Sequence, residues 1–316
     1  KGPLRECFDK ICRDDTLGLD SWEQAESRMF ESAVRVALAK IKRQSDDLSC
    51  LLGGDLLNQI IASRCAAREI RATFIGLYGA CSTISEGLML GGMLVDGGFA
   101  ELAACAASSH FSAAERQFRY PLEMGVQAVP SSQRTVTGAG SIIIQAAGEF
   151  RPGAGNVFEH VALTGGTIGS VEDFGITDAN NMGAAMAPAA FKTIKTHLSD
   201  YSRRVEDYDR IITGDLGIFG SDMLYELLRG EGIEIADRHE DCGKLMFSPE
   251  QNVNCGASGC GCAATVMSSW FLPKIESGEI RRVLFLATGA LMSPVSSLQG
   301  ESIPSIAHAV VIEHID

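Results

Sequence analysis

Cys81 is the residue of this sequence best placed for nucleophilic chemistry. It lies in the run Gly-Ala-Cys-Ser-Thr at 79–83, where the pattern predicts a strand-to-helix turn followed by an apolar stretch. A helix N-terminus lowers the pKa of a thiol and offers backbone N–H groups to an oxyanion, as acyl transfer requires. The alternative interpretation is that Cys81 is one more small buried residue among the 10 cysteines of the chain.

Charged residues of both halves could line a binding pocket. Arg116 and Arg119 lie among aromatic residues in the run 115–120, and their forked guanidinium groups suit a carboxylate ligand. Surface ion pairing is the alternative role for these two arginines. Asp55 directly follows an apolar run of strand length, and Asp215 has the same place in the second half. Either aspartate could face a pocket, but an Asp after a strand commonly caps a turn instead.

The cysteines of the second half do not have the spacing of a zinc site. Cys255, Cys260 and Cys262 follow a C-x4-C-x-C pattern, with Cys242 and His239 upstream, whereas zinc knuckles use pairs of C-x2-C. The glycine-rich turn beside them also lacks the Lys-Ser/Thr pair of a phosphate-binding loop. We therefore predict no metal site and no cofactor.

The bulk composition excludes several classes of protein. The 316 residues include 27 Lys+Arg and 40 Asp+Glu, a formal net charge of -13, so nucleic acid would meet a repulsive field. Most of the 10 cysteines lie in apolar runs, which indicates free thiols in a reducing compartment. The most membrane-like stretch, 87–109, is interrupted by Asp96 and Glu101 and lacks the ~20 apolar residues of a spanning helix. We predict a soluble protein that is not itself transmembrane.

An internal repeat indicates how the candidate residues are positioned. The apolar run 50–56 ends in Gly-Asp-Leu, and so does the run 210–216. Cys81 and Cys262, which are 181 residues apart, each open a stretch of small and apolar residues. In both halves the next predicted strand begins 20 residues after that cysteine, so the two halves share one order of elements.

This repeat predicts an α/β fold of two duplicated mixed-sheet halves in a layered α-β-α-β-α arrangement. The helices that begin near Cys81 and Cys262 are apolar or small on every side, so we expect them to form a central buried pair. We assign residues 1–198 to an N-terminal half with a loop region, lacking its first strand, and residues 199–316 to a C-terminal half. Because the chain opens at Lys1 without a Met, we expect N-terminal sequence to be missing.

A duplicated α/β chain with Cys at the start of its first buried helix resembles the thiolase fold, shared by thiolases and ketoacyl synthases. A narrower resemblance, to the stage V sporulation protein AD family of spore-forming bacteria, extends in order from about Gly2 to Glu313. The runs that carry it are GDLLNQ at 54–59, GACST at 79–83, SSH at 108–110, AERQFRYP at 114–121, GITD at 175–178, MAPAA at 186–190 and SIPSIAH at 302–308.

The family resemblance implies a role in moving dipicolinic acid, pyridine-2,6-dicarboxylate, into the developing spore. The ligand would be bound alone or as its calcium chelate, and membrane channel proteins of the spore would be partners. The resemblance also implies a location peripheral to the spore inner membrane and, by analogy with the fold, a homodimer. The candidate ligand-binding residues are Cys81, Asp55, Asn58, Ser109, His110, Arg116 and Arg119.

The same resemblance defines what a catalytic site would need. Thiolases add a His in a Gly-His-Pro run and a Cys before a glycine triplet, and ketoacyl synthases add His and Asn. The segment 304–308 has no such Cys or triplet, and the turn 256–260 has no Asn. We therefore predict a non-catalytic ligand-binding protein. The alternatives are an acyl-transferring enzyme that uses Cys81 with His239 or His308, and a structural scaffold for membrane partners.

Overall fold

The computed structural model describes residues 2–118, 129–147 and 158–316. In chain order its strands are β1 Cys50–Gly54, β2 Phe74–Gly76, β3 Leu102–Ser109, β4 Arg134–Thr135, β5 Gly138–Gln145, β6 Val161–Thr167, β7 Arg210–Thr213, β8 His239–Asp241, β9 Ala257–Ser258, β10 Arg282–Ala290 and β11 Ser305–His314. Its α-helices are α1 Trp22–Lys40, α2 Ile61–Ile70, α3 Thr83–Asp96, α4 Phe111–Phe118, α5 Met182–Asp200, α6 Gly217–Arg229, α7 Cys242–Met246, α8 Cys260–Val266, α9 Leu272–Glu276 and α10 Pro294–Leu298. The strands form one sheet of order β2-β1-β3-β5, a second of order β6-β11-β10-β7-β8, and a small pair of β4 with β9.

Both large sheets are mixed and share one pattern of strand directions. In the first sheet β1 runs parallel to β2 and β3, and β5 is antiparallel to β3. In the second sheet β7 runs parallel to β8 and β10, and β11 is antiparallel to β10. The duplicated mixed-sheet halves that the repeat predicts are therefore confirmed.

The central layer consists of α3 and α8. Helix α3 contacts β3 of the first sheet and β10 and β11 of the second, and α8 packs against β3 and β5. The packing is so close that a Cβ on Gly91 would lie 2.8 Å from the sulfur of Cys105. On the outside, α1 and α2 pack on the first sheet, and α5 with α6 covers the second. This is the predicted α-β-α-β-α arrangement with its buried central helix pair.

The apolar cores follow this layering. The central core joins side chains of both sheets and of α3 and α8, including Leu52, Ile84, Cys262 and Phe285. Separate outer cores lie under α1 and under α5 with α6. Because β1 and β3 are buried along their whole length, their residues are continuously apolar or small rather than alternating.

Residues 161–200 belong to the second half by their packing. Strand β6 pairs with β11, and α5 packs on β10 and β11. The predicted boundary between residues 198 and 199 assigns both elements to the first half, because sequence patterns do not identify the partner of an isolated strand. Within the described residues, no strand lies beside β5 in the place that β6 takes beside β11.

A buried histidine network closes the outer layer of the second half. His197 of α5 is fully buried, with Nδ1 2.7 Å from the Thr167 hydroxyl and Nε2 2.5 Å from the Tyr208 hydroxyl. Arg203 donates to the same Tyr208 oxygen at 3.0 Å. Burial lowers the pKa of His197 to about 4, and the positive charge of Arg203 adds to this effect.

We expect His197 to make the protein acid-sensitive. Its pKa is about 4 when folded and 6.5 when unfolded, so its stabilising contribution is complete above pH 6.5 and is lost as the pH falls toward 4. That loss amounts to about 3 kcal/mol. Urea unfolding at pH 7 and 4.5 measures this effect. The difference in free energy of unfolding between wild type and His197→Gln should be smaller at pH 4.5 than at pH 7. The exposed His160→Gln is the control, and a pH-independent difference at His197 would contradict this assignment.

Candidate functional site

Cys81 lies in a 3₁₀ turn, Ala80–Ser82, that leads directly into α3. The turn is strained at its first residue, because Ala80 has a φ of 50°, where a side chain costs roughly 1–2 kcal/mol. The side chain of Cys81 is only 3% exposed and faces the second half of the molecule. A strand-to-helix turn thus places this thiol between the two halves, as the sequence predicts.

Asp215 and Ser258 are the second-half residues that face Cys81. The Ser258 hydroxyl lies 3.9 Å from the Cys81 sulfur and donates to Oδ2 of Asp215 at 2.9 Å. The backbone N–H of Gly259 donates to the same oxygen at 2.9 Å, and the Thr288 hydroxyl donates to Oδ1 at 3.0 Å. We call Cys81, Asp215, Ser258 and Thr288 the seam site.

Parallel strand pairing explains why these side chains meet. Thr213 at the end of β7 is in register with Leu286 of β10, so Asp215 and Thr288, each two residues further on, lie side by side. Ser258 ends β9 immediately before α8, whose first residues lie against the Cys81 turn. Hydrogen bonding confirms that approach, because the Cys260 thiol donates to the carbonyl of Ala80 at 2.9 Å.

Burial controls the protonation of the seam site. It raises the pKa of the Cys81 thiol well above its usual range, and the negative charge of Asp215 raises it further. Burial also raises the pKa of Asp215 to about 6, although hydrogen bonds from Cys81, Gly259 and Ser258 favour its charged form. Cys81 is therefore a neutral thiol at pH 7, where Asp215 is mostly ionised. A neutral thiol is a poor nucleophile.

Gln133 adds an unused hydrogen-bond acceptor beside the seam site. Its Nε2 donates to the carbonyls of Asp215 at 2.6 Å and Ala257 at 2.8 Å. Its Oε1 is buried and has no hydrogen-bond partner among the described residues. Because a buried acceptor without a donor is costly, Oε1 is a group that a donor on a bound molecule would satisfy.

The two candidate bases make hydrogen bonds elsewhere. His239 on β8 joins the Thr213 hydroxyl at 2.8 Å and the Tyr225 hydroxyl at 2.7 Å, and burial lowers its pKa to about 3. His308 on β11 accepts from the backbone N–H of Gly169 at 3.2 Å, and burial lowers its pKa as well. Within the described residues, the structure connects neither imidazole to the Cys81 thiol by a hydrogen bond.

Ser109 reaches the turn that begins α8 from the first-half side. Its hydroxyl donates to the carbonyl of Val136 at 2.6 Å and accepts from the backbone N–H of Gly261 at 3.1 Å. Ser109 and Cys81 therefore flank the same turn, 258–261. Of the candidate ligand residues, these two lie at the junction of the halves.

Asp55 makes local hydrogen bonds. Its carboxylate accepts from the backbone N–H of Leu57 at 2.9 Å and from the backbone and hydroxyl of Ser63 at 2.8 and 2.7 Å. These bonds fix the turn into α2, which is the capping role that an Asp after a strand commonly takes. Burial raises the pKa of Asp55, and the neighbouring Glu26 has its pKa raised further by burial and by the Asp55 charge.

Asn58 and Arg116 line an open groove of about 950 Å³ between α1, α2 and α4. Arg116 forms an ion pair with Glu23, and its guanidinium lies 5.3 Å from the centre of the Trp22 ring. Asn58 accepts a hydrogen bond from the Tyr78 hydroxyl at 3.3 Å. Cys81 does not line this groove, so the structure separates these two candidates from the thiol. Arg119 lies outside the described residues.

His110 is fully buried and has partners for both ring nitrogens. Nε2 is 2.9 Å from the carbonyl of Asp15, and Nδ1 accepts from the backbone N–H of Ser112 at 3.2 Å. His110 also stacks on Trp22, with ring centres 6.5 Å apart. In this structure His110 connects the N-terminal segment to α4.

A second, larger cavity of about 1140 Å³ runs along the free edge of β5, between α1, β6 and residues 8–17. None of the candidate site residues lines it. Over the described ranges, no three His, Cys, Asp or Glu side chains are grouped so as to hold a metal ion. The same residues include no helix with the length and apolar character to cross a membrane.

The importance of Asp215 is the main feature that the sequence understates. The repeated Gly-Asp-Leu run shows that Asp215 corresponds to Asp55, but the two residues differ in their partners. Asp55 binds its own turn, whereas Asp215 binds groups from β9, β10 and the start of α8. Ser258 and Gln133 give no signal of their own in the sequence, because their roles depend on pairing across the halves.

Two layered mixed sheets around a buried helix pair, with a cysteine at the turn into the first central helix, define a thiolase-like fold. The fold is similar to 3-oxoacyl-[acyl-carrier-protein] synthase III of Aquifex aeolicus VF5, with a TM-score of 0.58 and 10% identity over 98% of this chain and 94% of that one. It is also similar to cerulenin-bound OleA of Xanthomonas, with a TM-score of 0.60 and 15% identity over 97% of this chain and 91% of that one.

The sequence comparison identifies a more specific group of proteins than the fold does. Residues 1–313 match the family model of stage V sporulation protein AD. The chain is also 45% identical over 312 residues to stage V sporulation protein AD of Bacillus subtilis strain 168, covering 99% of this chain and 89% of that protein. This chain therefore belongs to the stage V sporulation protein AD family, as the motifs indicate.

Proposed function

We propose that this protein is a non-catalytic, thiolase-like ligand-binding protein of the spore dipicolinic acid uptake system. It acts with membrane channel proteins during sporulation, peripheral to the spore inner membrane. The observation that supports a binding role is the seam site, where Cys81 has Ser258 and Asp215 as partners and, in the part of the chain that the structure describes, no imidazole. The identity of the ligand, dipicolinate or its calcium chelate, is what the family resemblance implies.

We place the ligand at the seam site and the adjoining turn 258–261. Cys81 and Ser109 flank this turn. The groove lined by Asn58 and Arg116 is separate from this site, and the guanidinium of Arg116 already pairs with Glu23. A homodimer is part of the proposal, supported by the outer edge of β2, beside which no other described strand lies, and by the exposed Ile75 on it.

Calorimetric titration of the full chain with dipicolinate, with and without calcium, tests this function. We expect a saturable heat with one site per chain, and at least roughly tenfold weaker binding in Cys81→Leu, which fills the seam site. Cys12→Leu, at an exposed cysteine, is the matched control and should bind as wild type. Circular dichroism would confirm that both variants fold. Absence of heat under both conditions would reject the proposal.

An acyl-transferring enzyme is the second candidate, and one observation favours it. The Ser258 hydroxyl links the Cys81 thiol to a carboxylate with a pKa of about 6, which could accept a proton near neutral pH. The raised thiol pKa opposes this role, because little thiolate forms at pH 7. Covalent labelling of Cys81 distinguishes the two functions.

A further inference from the structure

The interior around the seam site contains acidic side chains without a cation. Asp215, Asp241, Asp55 and Glu26 are each at most 1% exposed. Their partners are hydroxyl and backbone N–H groups, and among the described residues none of the four forms an ion pair with Lys, Arg or His. Such an interior repels an anion that enters without a counter-charge.

The side chains that hydrogen-bond to the Asp215 carboxylate are neutral. Cys81 comes from the turn before α3, Ser258 from β9 and Thr288 from β10. Other titratable groups that interact with its charge are acids: the carboxyl of Asp241 from the end of β8, and the thiols of Cys242, Cys260 and Cys262 from the starts of α7 and α8. None of these groups carries a positive charge. The basic side chains on β8 and α7 are His239, which burial keeps neutral, and Lys244, which is exposed to solvent.

A dicarboxylate bound beside Cys81 would therefore sit against the Asp215 carboxylate. Two like charges at close range in a poorly solvated site favour protonation of one of them. Asp215 is the acid nearest to Cys81, and burial already brings its pKa to about 6 before any ligand enters. A further negative charge beside Asp215 raises that pKa again.

Taking the proposed function as its basis, we propose that the seam site binds its dicarboxylate ligand together with one proton, which Asp215 accepts. The dianion and a proton from solvent combine with the ionised protein to give a complex in which Asp215 is a neutral acid. Its new O–H then serves as a donor to the ligand. Binding therefore adds one net negative charge to the site, instead of the two that the dianion alone would add.

Calorimetry of the wild-type chain measures this proton directly. Dipicolinate is titrated at pH 7 in phosphate and in Tris, both containing a chelator, because these buffers differ in ionisation enthalpy. The dependence of the observed heat on the buffer gives the protons taken up. We expect about 0.9 per ligand, since an acid of pKa about 6 is about nine-tenths ionised at pH 7. Binding should be roughly tenfold tighter at pH 7 than at pH 8.

Asp215→Asn locates the proton, and should bind with no proton uptake and no change of affinity between pH 7 and 8. If this variant does not fold, infrared spectroscopy of wild type is the alternative test. The band of a protonated carboxyl group should then appear when the ligand binds. Binding without proton uptake overturns this inference and leaves the proposed function standing, as does binding that needs calcium and takes up no proton. Uptake that persists in Asp215→Asn overturns the assignment to Asp215. No binding with or without calcium overturns both proposals.

Discussion

Cys81 in the folded protein should react with iodoacetamide at pH 7.5 roughly 100-fold more slowly than Cys12. The attacking species is the thiolate, and burial raises the pKa of Cys81 well above its usual range. The reagent must also reach a side chain that is 3% exposed, whereas Cys12 is exposed. Mass spectrometry of the peptides over time gives both rates in one sample. In urea the two rates should become similar, which is the internal control.

Mass spectrometry of the Cys81 peptide also distinguishes ligand binding from acyl transfer. If the protein only binds its ligand, incubation with a panel of acyl-CoA thioesters should leave the mass of Cys81 unchanged. An acyl adduct on Cys81 that is absent from Cys81→Ser would establish nucleophilic chemistry. Labelling of Cys81 as fast as Cys12 would likewise contradict a buried, protonated thiol.

The layered fold could be predicted because its evidence is local and occurs twice. The stretches that begin near Cys81 and Cys262 are small and apolar on every side, which only a helix between two layers requires. The assignment of β6 could not be predicted in this way. Its partner β11 lies far along the chain, and pairing across such a distance leaves no periodic signal in either strand.

The candidate site was harder to predict than the fold. The spacing locates Cys81 at its turn, but the residues that decide its chemistry come from β9, β10 and the loop after β7. A search for a histidine base favours His239 and His308, whose rings are committed to Thr213, Tyr225 and Gly169. The acid opposite the thiol is an aspartate, whose sequence context is the same as that of a capping residue.

Asp215→Ala should lower the free energy of unfolding by about 3 kcal/mol at pH 7. The substitution removes the acceptor of several buried donors, among them the hydroxyls of Ser258 and Thr288 and the N–H of Gly259. Each such donor costs about 1–3 kcal/mol. Removing the buried charge offsets part of this loss of stability, because ionised Asp215 is itself unfavourable in the interior. Urea unfolding measures the difference, with the exposed Asp46→Ala as a control that should change little.

Asp215→Asn distinguishes the lost acceptor from the lost charge. The amide keeps one oxygen in place, so at pH 7 we expect this variant to be within about 1 kcal/mol of wild type. The pKa of Asp215 is raised from 3.8 to about 6 on folding, so the stabilisation due to its proton is complete below pH 3.8 and is lost as the pH rises through 6. The advantage of wild type over Asp215→Asn should therefore grow as the pH falls from 6 to 4. An advantage that stays constant over this range would mean that Asp215 is ionised throughout, and that the seam site stabilises its charge better than burial alone permits.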